Sequence, residues 1–164
     1  MRGRSLGIVW SFVVLSFSLL SACGGGPVAP TPVSPSELAT APTTVSVSGK
    51  SLTLGTYLWR DFQPISPPDG KPLAAVLHVT TDDGTNVPAT VRADMVWVVY
   101  GTEIWSAVPQ ERLRSETAPV YEAAAHDGPK WGPGVNVDVV IRLRDANGRA
   151  LLLRAPDQPI RTTF

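Results

Sequence analysis

Residues 135–144 read VNVDVVIRLR, and their side chains alternate along the chain between an apolar set and a mainly polar one. The apolar set is Val135, Val137, Val139, Ile141 and Leu143, and the polar set is Asn136, Asp138, Arg142 and Arg144. A repeat of two residues places successive side chains on opposite sides of an extended strand. The stretch therefore predicts a strand of an antiparallel sandwich, with one buried and one solvated side.

Further β-branched and aromatic runs of strand length are separated by turn residues, while helical periodicity is nearly absent. These runs are 43–47, 52–59, 73–81, 90–100, 103–108, 120–125, 150–155 and 160–164. Residues 95–100 are apolar on both sides, so we expect a central strand or one whose outer side is covered by a loop. Residues 109–116 are the one place where a helical turn could form.

About seven to eight short antiparallel strands in about 120 residues fit a single all-β domain. With Trp97 in the third or fourth strand, the pattern resembles an immunoglobulin-like β-sandwich in its architecture. The paired cysteines that join the two sheets of many such domains are missing, because the chain has one cysteine. A small β-barrel is the alternative.

The amino terminus carries Arg2 and Arg4, then an apolar stretch over residues 6–20, then Leu20-Ser21-Ala22-Cys23. A basic start, an apolar segment and small residues before a cleavage point are typical of a secretory signal peptide. A membrane-spanning helix needs about 20 apolar residues, and this stretch is shorter and contains serines. The pattern therefore favours a signal peptide over residues 1–22.

Leu20-Ser21-Ala22-Cys23 resembles the lipobox of bacterial lipoproteins. The resemblance, which covers residues 1–24, implies that Cys23 is lipidated and becomes the first residue of the mature chain, anchored to a membrane of the cell envelope. Two or more acyl chains anchor a protein stably, whereas one binds marginally. Gly24 stands where an aspartate would resemble an inner-membrane retention signal, which favours the outer membrane.

Residues 24–42 contain five prolines among small residues, so we expect residues 23–42 to be a lipidated, flexible linker reaching about 60 Å. The β-domain is then expected over residues 43–164. Loss of Arg2 and Arg4 leaves 12 basic against 14 acidic residues, a net charge of −2. This balance offers no electrostatic surface for a nucleic acid partner.

Little in the sequence points to catalysis or to a metal. His78 and His126 are the two histidines, and no serine lies in a motif typical of a nucleophile. His78 alternates with Leu77 and Val79, which favours the solvated side of the sheet for its side chain. Residues 82–86 (DDGTN) and 145–148 (DANG) could offer oxygen ligands to calcium, but such residues are also those that hairpin turns select. We therefore expect no enzyme activity, no metal and no cofactor.

The loop aromatics are the remaining candidates for a binding site. Trp59 and Phe62 lead into a proline-rich loop, and Trp131 lies in the loop GPKWGPG. Such side chains can form a platform for a sugar or a peptide, or fold back over the ends of a small core. The favoured hypothesis is a non-catalytic interaction or assembly module of the cell envelope with an envelope protein or glycan partner. A glycan- or peptide-binding module using Trp59, Phe62 and Trp131 is the alternative, and a hydrolase comes last.

Overall fold

The computed structural model describes residues 32–112 and 119–164. Within these ranges the chain is all-β apart from one short helix, α1 at Pro35–Thr40, which confirms the fold class expected from the sequence. The strands are β1 Thr44–Val47, β2 Lys50–Asp61, β3 Leu73–Thr81, β4 Arg92–Tyr100, β5 Glu103–Ala107, β6 Gln110–Glu111, β7 Tyr121–Gly128, β8 Asn136–Arg144 and β9 Ala150–Thr163.

The strands follow the order β5-β4-β8-β9-β2-β3-β7-β6, with β1 added on β2. One half, β2-β3-β7-β6, corresponds to the A-B-E-D sheet of an immunoglobulin-like sandwich, and the other, β9-β8-β4-β5, corresponds to its G-F-C sheet with one extra edge strand. The two halves enclose the core. The sequence pattern therefore predicted the sandwich architecture without showing how the strands are ordered.

Strand β9 joins the two halves, and it corrects the expectation of a purely antiparallel arrangement. Its first part pairs antiparallel with β8, whereas Ile160–Thr163 pair in parallel with Leu58–Asp61 of β2. The side-chain pattern predicted two separate strands here, 150–155 and 160–164, with Pro156 and Pro159 between them. The chain instead continues as one strand through Asp157, whose φ is 57°.

Residues 109–116, which could have formed a helical turn, begin instead with strand structure. Gln110 and Glu111 form the short edge strand β6, which pairs with Ala124 and Ala123 of β7. Residues 113–118 lie outside the described part of the chain. Strand pairing supplies partners for the backbone of an edge segment, and here it outweighs the helical propensity of the local sequence.

Alternate residues of each central strand point into the core, as the period of two predicts. In β8 the inward set is Val137, Val139, Ile141 and Leu143, each at most 2% exposed. Opposing residues from β3 and β7 include Leu77, Val79 and Tyr121. The Tyr121 hydroxyl accepts a hydrogen bond from the backbone N–H of Ala93 at 2.9 Å, so this buried polar atom ties one sheet to the other.

A second apolar cluster lies on the outer side of β4, where helix α1 packs. Leu38 is 1% exposed and packs with Ala41, Trp97 and Val140. Val96 and Val98, rather than Trp97, face the core between the sheets. The outer side of β4 is thus covered, as the apolar pattern of residues 95–100 required, and Trp97 is buried beneath this cover.

Helix α1 lies within residues 23–42, which were expected from their composition to form a flexible linker. The compact unit starts at Val33, and not at residue 43. Ser34 caps α1: its hydroxyl accepts from the Glu37 N–H at 3.2 Å, and its own N–H donates to the Glu37 carboxylate at 2.8 Å. The hydrogen bonds that the Ser34 N–H and the Ser34 hydroxyl donate to the Glu37 carboxylate lower the pKa of Glu37. The motif Ser-Pro-Ser-Glu is a capping box that could have been recognised in the sequence, although proline-rich composition masked it.

Candidate functional site

Trp59 lies on the outer side of β2, because its neighbours Leu58 and Arg60 point inward and are buried. Tyr57, two residues earlier on the same side, has its ring centroid 5.5 Å from that of Trp59, at an interplanar angle of 38°. The indole N–H of Trp59 has no hydrogen-bond partner among the described residues. The strand thus presents an aromatic pair and a free donor on the outer side of the β2-β3-β7-β6 sheet.

Small side chains face outward on the strands beside Trp59. Ala74 and Val76 on β3 pair with Trp59 and Tyr57, and Ala124 on β7 pairs with Val76. All three are buried, at 9%, 8% and 5% exposure. They form the floor of a depression that larger side chains border.

His126 forms the other side of this depression. It follows Ala124 on the outer side of β7, and β3 separates its strand from β2, so the two strand axes are about 10 Å apart. Two clefts, of about 220 Å³ and about 300 Å³, meet here, and both are lined by Trp59 and His126. We call the depression formed by Trp59, Ala74, Val76, Ala124 and His126 the outer trough.

Most charged side chains at the margins of the outer trough are paired, whereas the carboxylate of Asp127 has no partner among the described residues. Lys71 Nζ lies 2.8 Å from the Asp61 carboxylate, and Arg112 donates to Glu122 at 2.9 Å. The hydrogen bond from Lys71, followed by that from the backbone of Gln63, lowers the pKa of Asp61. The carboxylate therefore stays ionised and paired at neutral pH.

Uncharged polar groups remain open to a ligand. Within the described ranges neither the imidazole of His126 nor the carboxamide of Gln110 has a hydrogen-bond partner. Gln110 lies opposite Ala124 on β6 and lines the larger cleft. Together with the indole N–H of Trp59, these groups surround an apolar floor.

His78 lies farther along the same outer side, as predicted from its place between Leu77 and Val79. Its Nε2 atom is 3.0 Å from Oε2 of Glu122, whose Oε1 atom accepts from Arg112. Thus His78 contacts the carboxylate of Glu122, which also accepts from Arg112, whereas His126 faces the outer trough. From the sequence, both histidines were candidates only for a catalytic base, and nothing in it indicated that His126 lies near Trp59.

Phe62 and Trp131, the other two predicted ligand residues, line neither cleft of the outer trough. Phe62 packs against Gly70, where an added Cβ would come within 2.7 Å of its ring. Trp131 packs on the core, faces Tyr100 at 5.7 Å and donates to Glu103. The structure therefore does not bring the three predicted aromatics into one site.

Arg60 explains where Phe62 and Trp131 lie. Its guanidinium is buried and donates to four backbone carbonyls: those of Lys71 at 3.0 Å, Lys130 at 3.0 Å, Gly132 at 2.7 Å and Asp69. It also lies 5.0 Å from the centre of the Phe62 ring. Both aromatic loops are thus fixed around a cation that points away from the Trp59 side of β2.

The two acidic turns use their carboxylates to stabilise the turns themselves. Asp83 accepts from the side chain and backbone of Thr85, which lowers the pKa of Asp83 to about 2. Asp145 accepts from the backbone N–H groups of Asn147 and Arg149. Over residues 32–112 and 119–164, no group of three or more His, Cys, Asp or Glu side chains is arranged to hold a metal ion.

Cys23 lies outside the described residues. No helix in the described ranges is long and apolar enough to span a membrane. No protein-family model, curated protein or solved structure matches the chain.

Proposed function

We propose that the protein is a lipid-anchored module of the bacterial cell envelope and that it binds a partner in the outer trough without catalysis. The outer membrane is the favoured location of its anchor. The single observation that carries the binding role is the outer trough itself. A surface with an apolar floor, a half-buried tryptophan beside an exposed tyrosine and several open hydrogen-bonding groups has the composition of a ligand site. The membrane anchor is argued from the lipobox resemblance at Cys23.

The packed position of α1 changes how the anchor and the domain are related in this proposal. Val33, where the compact unit begins, is ten positions after Cys23, so the segment between them spans at most about 35 Å. A linker extending to residue 42 would reach about 60 Å. The domain would therefore work close to the membrane surface, where a partner on that membrane or in the layer next to it is within reach.

Cys23→Ser is expected to abolish lipid attachment and leave the precursor uncleaved, because a hydroxyl does not replace the thiol that receives the lipid. Labelling cells with an alkyne fatty acid, followed by gel analysis, measures both effects. Ser21→Ala is the matched control, since it keeps a small residue in the lipobox and should be processed normally. Normal processing of Cys23→Ser would end the lipoprotein proposal.

Ala124→Arg tests the outer trough by placing a long cationic side chain on its floor. With the full chain in intact cells, we expect this variant to form at least about tenfold less crosslinked product than the wild type, because a blocked floor excludes the partner. Ile104→Arg adds the same charge on β5 of the opposite sheet and should retain crosslinking. Equal crosslinking by both folded variants would show that the partner binds elsewhere.

A further inference from the structure

The chemistry of the outer trough selects among classes of ligand. We infer that its ligand is a neutral oligosaccharide, one sugar ring of which packs on Trp59 while its hydroxyls bond to Gln110 and His126. This inference rests on the proposed binding role of the trough and names what would be bound there.

The first argument is the distribution of charge. Lys71 and Arg112, the cations that line the two clefts, are already paired with Asp61 and Glu122 at 2.8 Å and 2.9 Å. An anionic ligand would have to break these ion pairs before it gained any itself. The open groups are an indole N–H, an imidazole, a carboxamide and the carboxylate of Asp127, which together donate to and accept from hydroxyls. The carboxylate of Asp127 would also repel an anionic ligand.

The second argument is the match between the apolar surface and a sugar ring. A pyranose has C–H groups on its ring faces and hydroxyls around its edge, so it needs an aromatic surface with polar groups beside it. Trp59 lines both clefts, and Ala74 next to it adds little more than a methyl group. The space between Trp59 and His126 therefore remains open across β3.

The third argument distinguishes a sugar from a peptide. An extended peptide gains affinity by pairing its backbone with an exposed strand edge. The outer trough lies on the face of the sheet and crosses β2, β3 and β7. A ligand on its floor therefore lies across these strands, and does not run along the short edge strand β6 or along the end of β7 beyond Ala124, which β6 does not pair. A proline-rich peptide inserts its rings between separated aromatics, but Tyr57 and Trp59 contact each other at 5.5 Å and leave no slot between them.

The test is calorimetric titration of the detergent-solubilised full chain with neutral hexasaccharides: β-1,4-glucan, α-1,4-glucan and β-1,4-linked N-acetylglucosamine. At least one should bind, and Trp59→Ala should weaken it by at least about tenfold. Gln110→Ala should weaken it by about threefold to tenfold, the effect of one hydrogen bond. Tyr100→Ala, which removes an aromatic on the opposite sheet, should leave binding unchanged.

Three results would overturn the inference. The first is that no hexasaccharide binds, and the second is that neither Trp59→Ala nor Ala124→Arg affects the binding. The third is that a hexagalacturonate or a proline-rich decapeptide binds more tightly than every neutral sugar and that this binding depends on Trp59. The crosslinking experiment separates this outcome from failure of the proposed function. If Ala124→Arg still abolishes crosslinking while no neutral sugar binds, the trough remains the binding site and the ligand class is wrong. If Ala124→Arg changes neither measurement, both proposals fail together.

Discussion

Replacing Arg60 with methionine is expected to lower the free energy of unfolding by about 3–5 kcal/mol, which is a large fraction of the stability of a domain this size. Arg60 is 4% exposed, and its partners are four backbone carbonyls on two loops rather than a carboxylate. Methionine fills much of the same space but donates no hydrogen bond. The four buried carbonyls would then lose their donor, and each loss is costly away from water.

Urea denaturation followed by circular dichroism measures this effect, with Arg60→Lys and Arg149→Met as comparisons. Lysine keeps the charge but cannot reach both loops with a planar fork, so its loss should be smaller and still substantial. Arg149 has an exposed side chain, and its replacement should change stability by no more than about 0.5 kcal/mol. If the free energy of unfolding of Arg60→Met lies within about 1 kcal/mol of that of the wild type, which is about the net contribution of one hydrogen bond, the role of Arg60 is contradicted.

Replacing Leu38 with alanine is expected to cost about 2–4 kcal/mol, the usual effect of truncating a fully buried leucine. Leu38 is 1% exposed and packs with Trp97 and Val140 on the outer side of β4. Helix α1 has only six residues, too few to be stable without such packing. Loss of the contact should therefore release the helix and expose Trp97.

Urea denaturation measures the cost, and the wavelength of tryptophan emission reports whether Trp97 becomes exposed. The emission of Leu38→Ala should move to longer wavelength, and the difference should disappear when Trp97→Phe is added. Val108→Ala is the control, since Val108 is 70% exposed and its truncation should have little effect. If Leu38→Ala unfolds like the wild type, residues 33–42 act as the linker that their composition first indicated.

Helix α1 also shows why composition alone placed the domain boundary ten residues too late. Five prolines in residues 24–42 are typical of a linker, but Pro35 occupies the first turn of a helix, where its missing N–H is not needed. The capping residues Ser34 and Glu37 were readable locally. The local sequence did not show that Leu38 would pack on the outer side of β4 and bury its apolar side chains.

Of the three aromatics that the sequence offered as ligand residues, Trp59 alone borders the outer trough. Trp59 was identified because a large aromatic at the end of a strand needs either a core or a ligand. Phe62 and Trp131 satisfied the same criterion, yet they pack around the loops held by Arg60. Nothing in the local sequence distinguishes an aromatic that covers a core from one that borders a surface depression.

The sequence by itself determined the all-β class, the inward side of β8 and the outward position of His78. These follow from the alternation of side chains along an extended strand, which is a local property. Tertiary structure alone decided the parallel pairing of β9 with β2, the burial of Arg60 and the placement of His126 across Ala74 from Trp59. These depend on which strands become neighbours, and strands far apart in the chain meet through core packing and loop closure that no local stretch encodes.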